Sequence, residues 1–146
     1  MNPLQSHLRR TEGFTLVEVL VVCLIIAILA AIALPTFLRQ QNGAQDAEAK
    51  SDARNLVSHV EACQASTEDY QLCDTSVELG STGLPLVDGA PTADETVGVA
   101  AATHDTYTVT AQSRHAHATF SISKVAPGVI RRTCSGPGGG CNSGAW

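Results

Sequence analysis

Glu18 stands out first for its chemistry, because it is a carboxylate inside a long apolar stretch. It is the only charged side chain in residues 14–38, and every side chain in residues 19–34 is apolar. A carboxylate in such a helix costs roughly 2.5–3.5 kcal/mol at the centre of a membrane span, and less near its end. The position therefore predicts a specific partner or role for Glu18.

Five cysteines form the second group of reactive side chains. Cys23 lies in the apolar stretch and is predicted to be a buried, unpaired thiol. The other four lie beyond it, and an even number in an oxidising compartment predicts two disulfides. Four cysteines allow three pairings, and the short loops favour Cys63–Cys73 with Cys134–Cys141. Zinc is the competing ligand, but no C-x2-C spacing occurs, so we predict no metal site.

His115 and His117 also have a ligand-like spacing, since alternate residues of a strand share a face. They fall between two predicted strands with no third ligand nearby, so an exposed hairpin loop is predicted instead of a metal site. The sequence contains no G-x-S-x-G nucleophile motif, and its glycine-rich tail lacks the Lys-Ser/Thr of a phosphate-binding loop. We therefore predict neither an enzyme nor a bound cofactor.

The charge of the chain gives no general case for nucleic acid binding. The formal net charge is −5, and residues 39–146 contain seven Lys/Arg against twelve Asp/Glu. A local basic strip is still predicted on the outer face of a sheet, from Arg114, Lys124, Arg131 and Arg132. We interpret this strip as a solvated face, and contact with DNA phosphates is the alternative.

The elements that position these residues begin with a predicted membrane span over residues 14–38. Its 25 residues extend about 37 Å as a helix, against roughly 30 Å for a hydrocarbon core. Arg9 and Arg10 precede the span, so the N-terminus is predicted in the cytoplasm and the bulk of the chain outside. The span exceeds the roughly 7–15-residue core of a secretory signal, and a plain single-span anchor is the alternative.

One continuous helix is predicted from about Phe14 to about Ala65. Residues 39–66 are rich in helix-tolerant residues and carry a loose apolar stripe at three-to-four spacing. Two weak points interrupt the pattern. Pro35 removes a backbone hydrogen bond and kinks a helix. Gly43, in the pair Asn42-Gly43, is unfavourable in a helix interior.

A small antiparallel sheet is predicted after loop-like residues 67–96, which include a short helical turn at 76–79. Alternating apolar and polar residues predict its strands, joined by a hairpin loop at 113–117 and a turn at 126–128. The amphipathic half of the helix offers the only large apolar surface to cover this sheet, so an α+β fold is predicted, with Trp146 plugging the core. The predicted strands are 97–101, 106–112, 118–125 and 129–134.

Residues 13–18, Gly-Phe-Thr-Leu-Val-Glu, closely resemble the N-terminal signature of type IV pilins and related pseudopilins. That signature is a short basic leader ending in Gly, an aromatic residue, Thr-Leu-[Ile/Val]-Glu and a hydrophobic helix. Pro35 falls where the family carries a helix-kinking proline, and the paired C-terminal cysteines are similar to its disulfide-bounded loop. The resemblance is specific over the first 40 residues and only architectural beyond them.

The resemblance implies a leader peptide at 1–13, a transmembrane and assembly helix at 14–38, and an extracellular pilin domain at 39–146. A prepilin peptidase would cut between Gly13 and Phe14, and would methylate the new amine of Phe14. Glu18 would then meet that amine in a neighbouring subunit or in its own chain, while the helices form the core of a fibre. The 13-residue leader is somewhat long, and Glu12 stands where a basic residue is common.

The resemblance implies a structural subunit of a type IV pilus, major or minor, that polymerises through its N-terminal helix. The alternative is a pseudopilin of a type II secretion or DNA-uptake machine. The implied partners are other pilin subunits, the prepilin peptidase, the membrane, and the pilus assembly platform with its ATPase. The precursor would be a single-pass protein of the bacterial cell membrane, and the assembled pilus would be extracellular. Adhesion, motility and DNA uptake remain open.

Overall fold

The computed structural model describes residues 13–137 and 140–146 of the 146-residue chain. The predicted leader up to residue 12, together with Gly138 and Gly139, lies outside the described residues. The chain divides into two units, residues 1–38 and residues 39–146. The elements in chain order are α1 (Leu16–Thr67), a 3₁₀ turn (Tyr70–Leu72), α2 (Ser76–Leu79), β1 (Leu86–Val87), β2 (Thr96–Ala102), β3 (Tyr107–Gln112), β4 (Thr119–Ala126) and β5 (Val129–Ser135).

Helix α1 is the longest element and contributes residues to both units. It has 52 residues, includes Pro35 and ends at Thr67, two residues beyond the predicted end. The expected weak point at Asn42-Gly43 is not an interruption, because helix is assigned on both sides of Gly43. A glycine in a helix interior costs only about 1 kcal/mol relative to alanine, which the packing of the following turns can offset.

The sheet has five strands in the order β1-β2-β3-β4-β5, which is also their order in the chain. Strands β2 to β5 form an antiparallel meander whose ends lie within one residue of the predicted ones. Strand β1 was not predicted, because two residues are too few to show a periodic pattern. It pairs in parallel with β2, with Leu86 opposite Val97.

The core of the second unit lies between α1 and one face of the sheet. Helix α1 contributes Ala49, Ala53, Leu56 and Val60, which are all buried and recur every three or four residues. This spacing places them on one side of the helix. The predicted α+β fold, with the amphipathic part of the helix packed on a small sheet, is confirmed. The sheet contributes Val97, Val99, Tyr107, Val109, Ala111, Phe120 and Ile122.

Gly98 of β2 has no room for a side chain beside β1. A Cβ atom added there would lie 2.6 Å from the Val87 carbonyl oxygen and would also clash with the Gly89 carbonyl oxygen. Both atoms belong to the backbone, so β1 would have to move. We expect Gly98→Ala to lower the free energy of unfolding by roughly 1–3 kcal/mol, measured by denaturant unfolding of the purified chain.

Gly43→Ala provides the matched control for Gly98→Ala. Gly43 lies in α1, and an added Cβ there meets nothing within 4 Å. We expect this variant to raise the free energy of unfolding by about 0.5–1 kcal/mol, because alanine loses less chain entropy in a helix. Equal effects of the two substitutions would contradict close packing at Gly98.

Candidate assembly site

The N-terminus of α1 is closed by a reciprocal cap between Thr15 and Glu18. The backbone N–H and the hydroxyl of Thr15 donate to Glu18 Oε2 at 3.0 and 2.9 Å. The backbone N–H of Glu18 donates in turn to Thr15 Oγ1 at 3.2 Å. This is a capping box, in which each side chain satisfies a backbone donor that the first helical turn leaves free.

The cap orients the Glu18 carboxylate and occupies one of its oxygens. Both Thr15 hydrogen bonds end on Oε2, whereas a carboxylate offers two oxygens and about four acceptor sites. Gly13, Phe14, Thr15 and Glu18 line a shallow concavity, and Phe14 is 85% exposed. The carboxylate is thus held in place beside the Gly13–Phe14 peptide bond with acceptor capacity remaining.

The apolar stretch that follows Glu18 presents its side chains outward around the whole helix. Its large apolar residues between Leu16 and Leu38 are all between 44% and 80% exposed in the isolated chain. Among the described residues, α1 is the one helix whose length and composition would let it cross a membrane. A helix that is apolar all round suits a lipid or helix-bundle environment.

Two further residues of this stretch were singled out from the sequence. Pro35 lies inside α1, where its missing N–H leaves the carbonyl of the preceding turn without its usual helix donor. Cys23 is the one cysteine without a disulfide among the described residues. Its expected burial is not seen within the isolated chain, where its side chain is exposed.

The other four cysteines form the two local disulfides that the spacing favours. Cys63 bonds Cys73, with 5.9 Å between their Cα atoms, and this bridge ties the end of α1 to the 3₁₀ turn. Cys134 bonds Cys141, with 5.7 Å between their Cα atoms, and this bridge closes a loop beside β5. Trp146 follows that loop and lies partly buried against Phe120, edge to face, with the ring centroids 5.8 Å apart.

His115 and His117 do not form the simple exposed pair expected of a hairpin loop. His115 Nδ1 lies 3.2 Å from Asp46 Oδ2, and the Ser113 hydroxyl donates to Asp46 Oδ1 at 2.7 Å. Asp46 is fully buried in α1, so these contacts join the hairpin to the helix. Sequence reasoning missed this cluster, because its members are 67 and 69 positions apart.

His117 instead contacts a different carboxylate. Its Nδ1 lies 2.7 Å from Asp94 Oδ1, which also accepts from the Gln112 amide. These two hydrogen bonds, that of His117 first, lower the pKa of Asp94.

Ser113 is buried, and its hydroxyl bonds a carboxylate instead of an imidazole. The arrangement therefore lacks the serine-to-histidine hydrogen bond of a catalytic triad.

A second polar cluster joins α1 to the sheet through Glu61. Its Oε1 accepts from the Tyr107 hydroxyl at 2.9 Å and its Oε2 from the Tyr70 hydroxyl at 2.8 Å. Lys124 donates to the Tyr70 hydroxyl and lies 3.5 Å from Glu61. Burial, and then the Glu61 hydrogen bond, raise the pKa of Tyr107. The cluster fixes the end of the helix against β3 and β4.

The predicted basic strip does not form on one outer face. Lys124 points toward α1, and Arg132 lies opposite Ile122, whose side chain is in the core. Directly opposed residues share a face, so Arg132 is on the helix side of the sheet. Arg131 lies opposite Ser123 on the other face, and Arg114 pairs with Glu95 at 2.6 Å. Lys124 and Arg132 thus lie on the helix side, Arg131 lies on the other face, and Arg114 is neutralised by Glu95.

Comparison with known proteins finds a family match at the N-terminus. Residues 8–34 match the family described as the prokaryotic N-terminal methylation motif. No solved structure matches the chain. The matched segment contains Gly13, Phe14, Thr15 and Glu18, the four residues that meet at the start of α1.

Three curated relatives illustrate the similarity. The type IV major pilin protein PilA of Myxococcus xanthus (strain DK1622) is 37% identical over 71 residues, which are 49% of this chain and 31% of that protein. A fimbrial protein of Pseudomonas aeruginosa is 33% identical over 94 residues, 57% of this chain and 56% of that protein. The type II secretion system core protein G of Klebsiella pneumoniae is 28% identical over 87 residues, 60% of this chain and 57% of that protein.

The matched regions cover from about a third to just over half of these relatives. In this chain, the matched motif spans the Gly13–Phe14 bond and the start of α1, which Glu18 caps. The chain therefore carries the prokaryotic N-terminal methylation motif and is similar to type IV pilins and to a type II secretion core protein.

Proposed function

We propose that this protein is a structural subunit of a type IV pilus, which polymerises through α1 after a prepilin peptidase removes residues 1–13. The observation that carries the proposal is the capped Glu18 carboxylate beside the Gly13–Phe14 bond, at the start of an exposed apolar helix. A simple membrane anchor has no use for this charge. In a polymer of such helices, by contrast, the charge can have a role.

Cleavage supplies the partner for this carboxylate. Hydrolysis of the Gly13–Phe14 peptide bond leaves a carboxylate on Gly13 and a positively charged amine on Phe14, which the peptidase then methylates. The amine of an incoming subunit meets Glu18 of a neighbour already in the fibre, while the Thr15 cap keeps that carboxylate oriented. Opposite charges attract more strongly as the dielectric falls, so an apolar helix bundle favours the pairing.

The precursor is held in the cell membrane by residues 14–38, and residues 39–146 lie outside. An assembly platform and its ATPase then move subunits from the membrane into the surface fibre. The two disulfides fit an oxidising compartment outside the cytoplasm.

The processed N-terminus tests this proposal directly. Filaments sheared from cells are purified, and the first residue of the subunit is identified by mass spectrometry. We expect N-methyl-Phe14 as the first residue of the subunit. An intact Met1, or cleavage at another bond, in the filament would overturn the proposal.

A pseudopilin of a type II secretion machine is the second candidate, favoured by the similarity to core protein G of Klebsiella pneumoniae and of Aeromonas hydrophila. Both candidates share the cleavage and the helix polymer, so the N-terminal residue does not separate them. Abundance does. A major pilin is recovered mainly in sheared filaments, whereas a pseudopilin stays scarce and cell-associated.

A further inference from the structure

Arg54, Arg132 and Trp146 form an unusual cationic patch on the second unit, named here the cationic edge. The two guanidinium centres lie 5.0 and 5.6 Å from the centroid of the same indole ring. The indole N–H donates to the Thr133 carbonyl of β5 at 2.8 Å, which fixes the ring beside the last strand of the sheet. The patch is therefore built on the β5 edge.

The cationic edge brings like charges together without a counter-charge. Among the described residues, no carboxylate lies within ion-pair distance of Arg54 or Arg132. The indole stabilises each cation by only about 0.5–1 kcal/mol at an exposed site. Both side chains are exposed, so their donors can reach a carboxylate on another molecule.

Carboxylates are crowded at the opposite edge of the same sheet. Asp74, Glu78 and Asp88, named here the acidic edge, lie beside β1. Asp88 follows β1 and accepts from the Ser76 N–H at 2.7 Å, and Glu78 accepts from the Asp74 N–H at 3.2 Å. Burial, then the Glu78 charge, raise the pKa of Asp74, with Asp88 adding to the effect. Residues 55–113 contain nine Asp/Glu and no Lys or Arg.

The two edges belong to opposite ends of one sheet, so one subunit cannot pair them with itself. Strand order β1 to β5 separates them by four strand spacings, about 19 Å. Two different patches that complement each other make a head-to-tail contact, which generates a ring or, where the rotation does not close, an open helical filament, and not a two-fold dimer. We propose that the cationic edge of one subunit binds the acidic edge of a neighbouring copy, an inference that rests on the proposed polymer.

A nucleic acid is the less favoured occupant of the cationic edge. The chain carries a net charge of −5, and its nine carboxylates over residues 55–113 would repel a phosphate backbone. A second copy brings the complementary charge at the same stoichiometry. It also relieves the repulsion within each edge.

Charge reversal on adjacent residues of β5 tests the contact. Arg132→Glu reverses a cation of the cationic edge, and Arg131→Glu makes the same change on the other face of the same strand. In full-length chains expressed with the assembly machinery, we expect Arg132→Glu to lower the filament yield about tenfold or more, because each subunit repeats the lost contact. Arg131→Glu should stay within about twofold of wild type.

A charge swap within one chain completes the test. Asp74→Lys combined with Arg132→Glu restores opposite charges at every contact, and we expect it to recover most of the filament yield. Membrane levels and intact disulfides on a non-reducing gel report folding. If Arg132→Glu does not accumulate in the membrane, Arg132→Gln is used, with a lower filament yield that falls less steeply with added salt than the wild-type yield, because one charge of the contact is gone.

Three results overturn the inference. Equal yields for Arg131→Glu and Arg132→Glu would show that the face of β5 does not matter, and failure of the charge swap would show that the acidic edge is not the partner. Normal assembly with loss of retained DNA in Arg132→Glu would assign the cationic edge to nucleic acid. Absence of the wild-type chain from any filament would instead reject the proposed function.

Discussion

Glu18→Ala is expected to remove the subunit from filaments while leaving it in the membrane. The substitution deletes the only charge of residues 14–38, so membrane insertion becomes easier, by up to roughly 2.5–3.5 kcal/mol. The amine of an incoming Phe14 would then have no carboxylate to meet in the apolar core of the fibre. Immunoblots of sheared filaments and of membranes measure the two pools separately.

Two neighbouring variants separate the charge of Glu18 from its cap. Glu18→Gln keeps the acceptor for Thr15 but loses the charge, so we expect it to fail in assembly like Glu18→Ala. Thr15→Val keeps the charge but removes the capping hydroxyl, at a cost of about 1 kcal/mol to the helix start. It should assemble at a reduced yield. Normal assembly of Glu18→Gln would reject the charge-pairing role.

Asp46→Ala is expected to be the most destabilising of the polar substitutions in the second unit. Asp46 is fully buried, and its loss leaves the buried Ser113 hydroxyl without its acceptor and opens a cavity beside His115. We expect the free energy of unfolding to fall by about 2–4 kcal/mol, a large share of the roughly 5–15 kcal/mol of a typical domain. Urea unfolding of the purified chain measures it.

Two variants of the same helix give the comparison for Asp46→Ala. Asp46→Asn preserves the volume and an acceptor for Ser113, so its cost should be smaller, about 1–2 kcal/mol. Glu48→Ala removes an exposed carboxylate two residues away and should change stability by less than about 0.5 kcal/mol. An Asp46→Ala effect as small as that of Glu48→Ala would show that the buried cluster contributes little.

Local patterns were enough to predict most of the fold. Strands β3 and β4 were predicted because Val109 and Phe120 belong to clean alternations, and the helix because its stripe recurs at helical spacing. The Thr15–Glu18 cap also has a local signature, Thr-x-x-Glu before an apolar run. Strand parity would also have placed Arg131 and Arg132 on different faces.

What local patterns could not predict are the contacts between residues far apart in the chain. Asp46 meets Ser113 across 67 positions, and Glu61 meets Tyr107 across 46. In the sequence, Asp46 and Glu61 look like any polar residues on the solvent side of a helix. Only the register of the helix on the sheet buries Asp46 and places Glu61 between two tyrosines.

The strand order of the sheet, which follows the chain, has a consequence for how the domain folds. Each strand from β3 to β5 pairs with its predecessor across a connection of four, six or two residues. Short connections lose little entropy on closure, so the meander can grow one hairpin at a time. A long-range search is needed only once, when the amphipathic part of α1 meets the finished sheet. A chain that is synthesised from its N-terminus makes α1 first and can therefore keep that docking step for last.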